Sequence, residues 1–275
     1  YVLVALGLTL IYGVLVQINF AHADIVTLGA FTAYFFTHLL GGNYLASIAV
    51  ALVVGAALGW LMNAFIFAPL RNRGNELLPL IATIGVSIML QNTMLAWFGP
   101  IPFAFDTPYS NDVIRVAGMF FTVQSVLIIV VSTATIGLLY AFMKFTFLGK
   151  ALRAVSQDRE TAGLMGINPN QLIMLTFVIA SALAGMGGAM LGPVLVLTPF
   201  AGTSVIVKAF AIVIIGGFGN VEGTIIAGLL VGLIESYTTQ FLDPGLIDIV
   251  VFALLLLTLA LRPTGLIAEK REENV

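Results

Sequence analysis

The stretch NPNQLIMLTFVIASALAGMGGAMLGPVLVL, residues 168–197, carries no charged side chain and decides the fold class. Its apolar run, Leu172–Leu197, exceeds the ~20 residues a helix needs to cross the hydrocarbon core of a bilayer. Its beginning is also legible. Asn168 reads as a helix cap, and Pro169 suits the first helical position, where a missing N–H leaves nothing unpaired. Gln171 completes a start of capping-box type. Gly188 and Gly192 stand four apart, so a second helix backbone can approach closely at that face.

The rest of the chain has the same character. Of 275 residues, 60% are hydrophobic and 9% charged, and the mean hydropathy is +1.10. A soluble domain carries ~25% charge. So little charge cannot cover a water-soluble globule of this size, which excludes a soluble enzyme, a nucleic-acid binder and a disordered chain. There is no cysteine, hence no disulfide framework and no thiolate metal site. The net charge of −2 says nothing about partners. The chain opens at Tyr1 within an apolar run, without Met, and is expected to lack its natural start.

Apolar runs fall at Val2–Phe20, Ile25–Leu40, Tyr44–Ala68, Leu77–Phe98, Met119–Met143, Leu172–Leu197, Val205–Phe218, Gly223–Leu242 and Gly245–Leu261. They hold no charge apart from Lys208, Glu235 and Asp248. Because lipid cannot satisfy a peptide group, such runs must be helices or breaks enclosed in protein. They are continuous rather than alternating, which excludes a membrane β-barrel. The expected fold is an all-α polytopic membrane protein of about eight or nine transmembrane helices. It forms one domain over residues 1–275, with short or broken helices in each half.

Ile25–Leu40 and Val205–Phe218 are too short for a straight crossing. Each adjoins a polar break, Asn19-Phe-Ala-His-Ala-Asp24 and Gly216-Gly-Phe-Gly-Asn-Val-Glu-Gly223. Interrupted segments in corresponding places of two halves point to a transport site near the midplane. The plainer alternative is two ordinary loops between short, tilted helices. Gly55/Gly59 and Gly228/Gly232 read like Gly188/Gly192, as packing faces within the chain or against a second subunit.

Loop Lys and Arg residues set orientation. Arg71, Arg73, Lys144, Lys150, Arg153, Arg159, Arg262, Lys270 and Arg271 are expected inside. Arg115 lies in an opposite loop, and Lys208 lies close to a helix end. The alternation starts the numbered chain outside and ends it inside. Residues 99–118 become an outer loop with room for a short hairpin.

The inner loop, about 144–171, is more than a connector. Ser156 is read as an N-cap, with Asp158 and Glu160 in the first turn, where the helix dipole favours negative charge. Arg159 and Ala162 continue a short helix to about Met165. Gly166 supplies a left-handed position and Ile167 the apolar residue after it, a Schellman-like stop before Asn168. Two sets of start and stop signals describe a structured helix with something to dock on. The alternative is a helix lying on the lipid surface through its basic residues.

The chain carries no phosphate-binding loop of the G-x-x-x-x-G-K-[ST] kind. His22 and His38 have no acidic or Cys companions at metal spacing. No carboxylate pair or nucleophile–His constellation suggests a membrane enzyme.

Several segments together resemble the membrane permease of bacterial high-affinity branched-chain amino acid ABC importers. They are Gly7-Leu-Thr-Leu-Ile-Tyr-Gly13 running into Ile18-Asn-Phe-Ala-His22, Arg153-Ala154, Gly166-Ile-Asn168, Leu175-Thr-Phe-Val-Ile179, Lys208-Ala-Phe210 leading to Gly216-Gly-Phe-Gly219, and Pro263-Thr-Gly265. Together they cover nearly the whole chain in order. The resemblance implies a multi-pass protein of the bacterial inner membrane with a cytoplasmic C-terminus. Its partners would be a second permease subunit in a hetero- or homodimer, two cytoplasmic ATPases that bind the ATP–Mg, and a periplasmic binding protein. The permease itself would hold no cofactor or metal and would catalyse no reaction. The coupling helix maps onto Ser156–Met165, with Gly166, Ile167 and Asn168 as its exit. The pathway candidates are Asn19, His22, Asp24, Thr27, Gln91, Asn92, Lys208 and Asn220, although Gln91 and Asn92 serve equally as buried interhelical hydrogen-bonding groups. One departure is Ala23-Asp24, where the family pattern leads one to expect Gly and often Glu. Related urea and short-amide permeases share much of the pattern. An ion-coupled secondary carrier or channel is the alternative from a different class.

Overall fold

The computed structural model describes residues 1–71, 77–110, 112–116 and 119–267. Arg73, Lys270 and Arg271, read as inside charges, lie outside the described residues. In chain order the helices are α1 (Val2–Leu15), α2 (His22–His38) and α3 (Tyr44–Met62), which continues through a π-helical turn (Asn63–Phe67) into α4 (Ala68–Arg71). Then come α5 (Leu77–Phe98), a hairpin of β1 (Val113–Val116) and β2 (Met119–Thr122), α6 (Val123–Phe145), α7 (Phe147–Gln157) and α8 (Arg159–Leu164). The chain closes with α9 (Pro169–Leu191), α10 (Ala201–Gly216), α11 (Val221–Phe241), a 3₁₀ turn (Pro244–Leu246) and α12 (Ile247–Leu261).

Six helical stretches are long and apolar enough to span a bilayer: Tyr44–Arg71, α5, α6, α9, α11 and Pro244–Leu261. The shorter α1 and α10 bring the apolar helices among the described residues to eight, within the eight or nine expected from sequence, and α2 is a further short helix.

Two of these helices form the interior. Nearly every residue of α1 and most of α9 are buried, so both must bury polar backbone against other backbone. Small residues make that possible. Gly55 and Gly59 of α3 lie against Ser181 and Phe177, and the Tyr44 hydroxyl donates to the Ala189 carbonyl at 3.1 Å, so α3 runs antiparallel along α9. On another face α2 crosses α9 where Gly29 meets Gly185 and Gly188 meets Val26. A Cβ at Gly188 would collide with the Val26 carbonyl. α11 closes the other side of α1 through the Thr9–Thr224 hydroxyl pair at 2.7 Å and Gly228 against Val2, with α10 packed beside it. Gly232, by contrast, faces open space, so the third small-residue pair packs with only one of its members.

α5, α6 and α12 are peripheral and show large apolar side chains outward, among them Ile88, Trp97, Ile129, Leu138 and Leu256. Such surface suits lipid or a second membrane chain.

Local differences from the sequence reading have physical causes. The run Leu172–Leu197 is helical only to Leu191. Gly192 caps it, Pro193 stops it, and Leu197 instead pairs backbone to backbone with Phe103. The outer hairpin extends beyond residue 118 to Thr122, whose hydroxyl caps α6, and Arg115 sits 4.5 Å over the Phe120 ring. His22 and Asp24 are in the first turn of α2, so the first break is Val16–Ala21.

Substituting Gly188→Val is expected to cost ~1–3 kcal/mol by overpacking at Val26. Gly232→Ala should leave stability unchanged. Thermal unfolding of the two variants in detergent checks the contrast.

Candidate functional site

The basic end of the bundle is built by two short helices joined at one residue. Thr146 starts α7, its hydroxyl accepting from the Gly149 amide at 3.0 Å. α7 lays Ala151, Leu152 and Val155 on the bundle and keeps Lys150 and Arg153 outside. It ends at Asp158, whose extended backbone turns the chain and whose Oδ1 accepts from the Glu160 and Thr161 amides at 2.9 and 3.1 Å. Asp158 is therefore the cap of α8. The N-cap assigned to Ser156 is incorrect: Ser156 lies in the last turn of α7, where its hydroxyl donates to the Arg153 carbonyl at 2.8 Å. A serine followed by acidic residues resembles a cap locally, but the Thr146 start already commits residues 147–157 to a helix.

The exit matches its reading. Gly166 has φ +84°, its amide meets the Gly163 carbonyl, and the Ile167 amide meets the Ala162 carbonyl, both at 3.1 Å, the two bonds of a Schellman stop. Asn168 Oδ1 then accepts from the Asn170 and Gln171 amides, with Pro169 following the cap. α8 is thus fixed at both ends. Ala162 faces inward, while Leu164 and Met165 stand 87% and 79% exposed.

Hydrogen bonds from the Thr161 hydroxyl and amide hold the Asp158 carboxyl below the usual carboxylate range. Burial lowers the Arg159 guanidinium from its ordinary value. Arg159 reaches inward, and its Nη2 donates to the Val14 carbonyl in the last turn of α1 at 2.7 Å. Nothing in the sequence marked Val14 as the partner, because the bond spans 145 positions.

Two residues beyond Val14 the backbone changes character. Val16 has φ +56°, an unusual conformation for a β-branched residue, and the first break begins there. Asn19 is fully buried, with Nδ2 3.9 Å from the Met62 sulfur and Oδ1 unpartnered. The His22 ring lies 3.3 Å from the Val4 carbonyl. Asp24 is 2% exposed. Its Oδ1 accepts from Gln91 Nε2 at 3.0 Å, and its Oδ2 has no partner among the described residues. Gln91 Nε2 also reaches Ser87 Oγ at 3.1 Å, a neighbour the sequence did not reveal. Thr27 joins the group to α10, accepting from the Gly202 amide at 2.9 Å.

The other pathway candidates lie elsewhere. Asn92 faces outward and donates to the Ile88 carbonyl of its own helix. Lys208 pairs with Glu235 at 2.7 Å between α10 and α11. Asn220 caps α11 in the second break, accepting from the Gly223 amide at 2.8 Å. That break lies against the end of α1, with the Tyr12 and Phe218 rings 4.2 Å apart. Both breaks therefore flank one helix end. Among the described residues no group of three His, Cys, Asp or Glu could hold a metal ion.

The geometry consists of a short helix anchored at both ends, a chain break beside it and a buried carboxylate. Comparison with known proteins gives it a family. Residues 1–259 match the model described as branched-chain amino acid transport system, permease component. The chain belongs to this family. It is 34% identical to the high-affinity branched-chain amino acid transport system permease protein BraD of Pseudomonas aeruginosa, over all of this chain and 94% of that protein. It is 33% identical to LivH of Escherichia coli, over all of this chain and 93% of that protein. LivM of Salmonella typhimurium, a permease of the same named system, is 24% identical over 99% of this chain and 69% of that protein. No solved structure matches significantly. The membership agrees with the apolar helices, and the chain is a multi-pass membrane transport subunit.

The cap predicts its own test. Asp158→Ala should expose the first turn of α8 and speed amide exchange at 160–162 roughly five-fold. Because the folded carboxyl titrates low, the cap contributes fully above the ordinary carboxylate pKa and is lost as pH falls through the lowered value. Protection of those amides, taken relative to their intrinsic exchange rate at each pH, should fall only on the acid side.

Proposed function

We propose that this chain is a permease subunit of an ABC importer that moves branched-chain amino acids inward across the bacterial inner membrane. The observation that carries the reading is α8, capped at Asp158, stopped at Gly166 and tied by Arg159 to Val14. A helix anchored in this way, with Leu164 and Met165 projecting from it, is a surface for a partner to push. The partners are two cytoplasmic ATPases, which bind the ATP–Mg, a second permease and a periplasmic binding protein. The similarity to LivM as well as to LivH and BraD supports a permease pair. The basic end and the C-terminus face the cytoplasm, in keeping with the positive-inside bias.

The mechanism follows from the connections. Closure of the ATPases displaces α8. Arg159 passes the displacement to the Val14 carbonyl, and so to the end of α1 beside the strained Val16. The first break moves with it, carrying Asn19, His22 and Asp24 at the start of α2. A branched aliphatic zwitterion needs an apolar route and a partner for each charged end. Asp24 offers its unpartnered Oδ2 to the ammonium, and Gln91 and Thr27 position the groups around it. Urea or a short amide has no cation to meet this carboxylate.

The test is the importer reconstituted in vesicles with its ATPases and binding protein. Leucine uptake should require ATP and survive collapse of the ion gradient; uptake without ATPases that disappears with the gradient would instead mark a secondary carrier. Arg159→Glu should abolish uptake while the ATPases still co-purify. Asp24→Asn should lower leucine transport at least ten-fold, about 1.4 kcal/mol or more of lost stabilisation. Equal transport of urea by both proteins would reject the assignment to amino acids.

A further inference from the structure

Between α1, α6, α7, α9 and the start of α11 lies a cavity of about 240 Å³, with Val14 on its α1 side. Its mouth carries Lys144 from the last turn of α6 and Arg153 from α7, with Ser156 and Asn220 beside them. Its buried wall sets the aliphatic side chains of Leu10, Leu139 and Ile179 beside Thr9 and Thr176. α6 is the least buried of the long helices and lies open on its side toward α11. One polar bridge spans that gap: Lys144 Nζ donates to the Tyr140 hydroxyl at 3.1 Å, and that hydroxyl donates to Glu222 Oε1 at 3.2 Å. Arg153 has no carboxylate partner among the described residues, and the Lys144–Glu222 connection runs through Tyr140 rather than as an ion pair.

We propose that this cavity binds one anionic phospholipid of the inner leaflet. The phosphate sits between Lys144 and Arg153, and an acyl chain enters sideways past α6 along Leu139 and Ile179. The two cations against one carboxylate leave one positive charge, the complement of one phosphodiester. A guanidinium fork and an ammonium suit phosphate oxygens. A basic recess between membrane helices at the cytoplasmic face is the setting in which acidic head groups bind. The aliphatic side chains of Leu10, Leu139 and Ile179 separate a lipid from a soluble anion, which would leave them uncovered. The bound lipid would fill the space between α6 and α11 and brace α7, the helix that leads into α8.

The placement at the inner leaflet rests on the orientation proposed above, but the test reads binding without transport, so the two fail separately. The complete importer, purified in detergent, is titrated with phosphatidylglycerol or phosphatidylcholine, and lipid retained per permease is counted by native mass spectrometry. Phosphatidylglycerol should be retained selectively. Lys144→Ala and Arg153→Ala should each weaken retention about five-fold. Lys150→Ala, on α7 but outside the cavity, should leave it unchanged. Glu222→Gln should strengthen retention, a gain that a misfolded variant cannot mimic. Equal retention of the two lipids, or equal losses in the Lys150 and Lys144 variants, would overturn the proposal. So would displacement of the lipid by millimolar glycerol 3-phosphate, because the site would then take a soluble anion.

Discussion

A peptide group inside a bilayer has no water to bond, and the architecture follows from how this chain meets that constraint at its two breaks. At the first, the Val16 amide returns to the Tyr12 carbonyl, the His22 amide takes the Asn19 carbonyl, and the Phe20 amide reaches the Thr83 hydroxyl on α5. At the second, the end of α10 borrows partners from the far end of the chain. The Leu266 and Ile267 amides donate to the carbonyls of Ile215 and Gly216. This gives Pro263-Thr-Gly265 a structural reason. Gly265, at φ +82°, turns the chain back against Gly217, itself at φ +106°, and closes the break. α1 lies between the two breaks and is buried on all sides because both need its protein surface.

What could be read in the sequence divides along the range of the forces involved. Local rules located the helices, the Gly166 stop and the Asn168 start, since each depends on residues within a few positions of one another. The same rules failed at Ser156. Two competing local signals, Thr146 and Ser156, are ten residues apart, and the apolar face of α7 resolved the competition by packing on the bundle. Composition marked the breaks as polar, but the pairing of Asp24 with Gln91 spans 67 positions and depends on how α5 docks against α2. The candidates that fell elsewhere show the same limit. Asn92 neighbours Gln91 in sequence, yet one helical step of ~100° turns it to the outside, where it bonds its own helix.

The few charges within the helices fall into two kinds. Lys208 and Glu235 neutralise each other, and their side chains stay partly exposed at 13% and 18%. The pair needs no further partner, so it reads as structure. Asp24 meets only neutral polar groups of α5, the Gln91 amide and the Ser87 hydroxyl, with Oδ2 unpaired and no cation beside it among the described residues. Burying a carboxylate this way costs free energy that packing alone gives no reason to accept. Intramembrane charges of this sort mark pathways. Asp24 also stands at the start of α2, just past the break that Arg159 reaches through Val14. A buried carboxylate without a cation partner among the described residues is thereby placed on the element that Arg159 of α8 reaches through α1. If α8 is where energy enters, the carboxylate lies where the work would be delivered, and its environment would change whenever α8 moves.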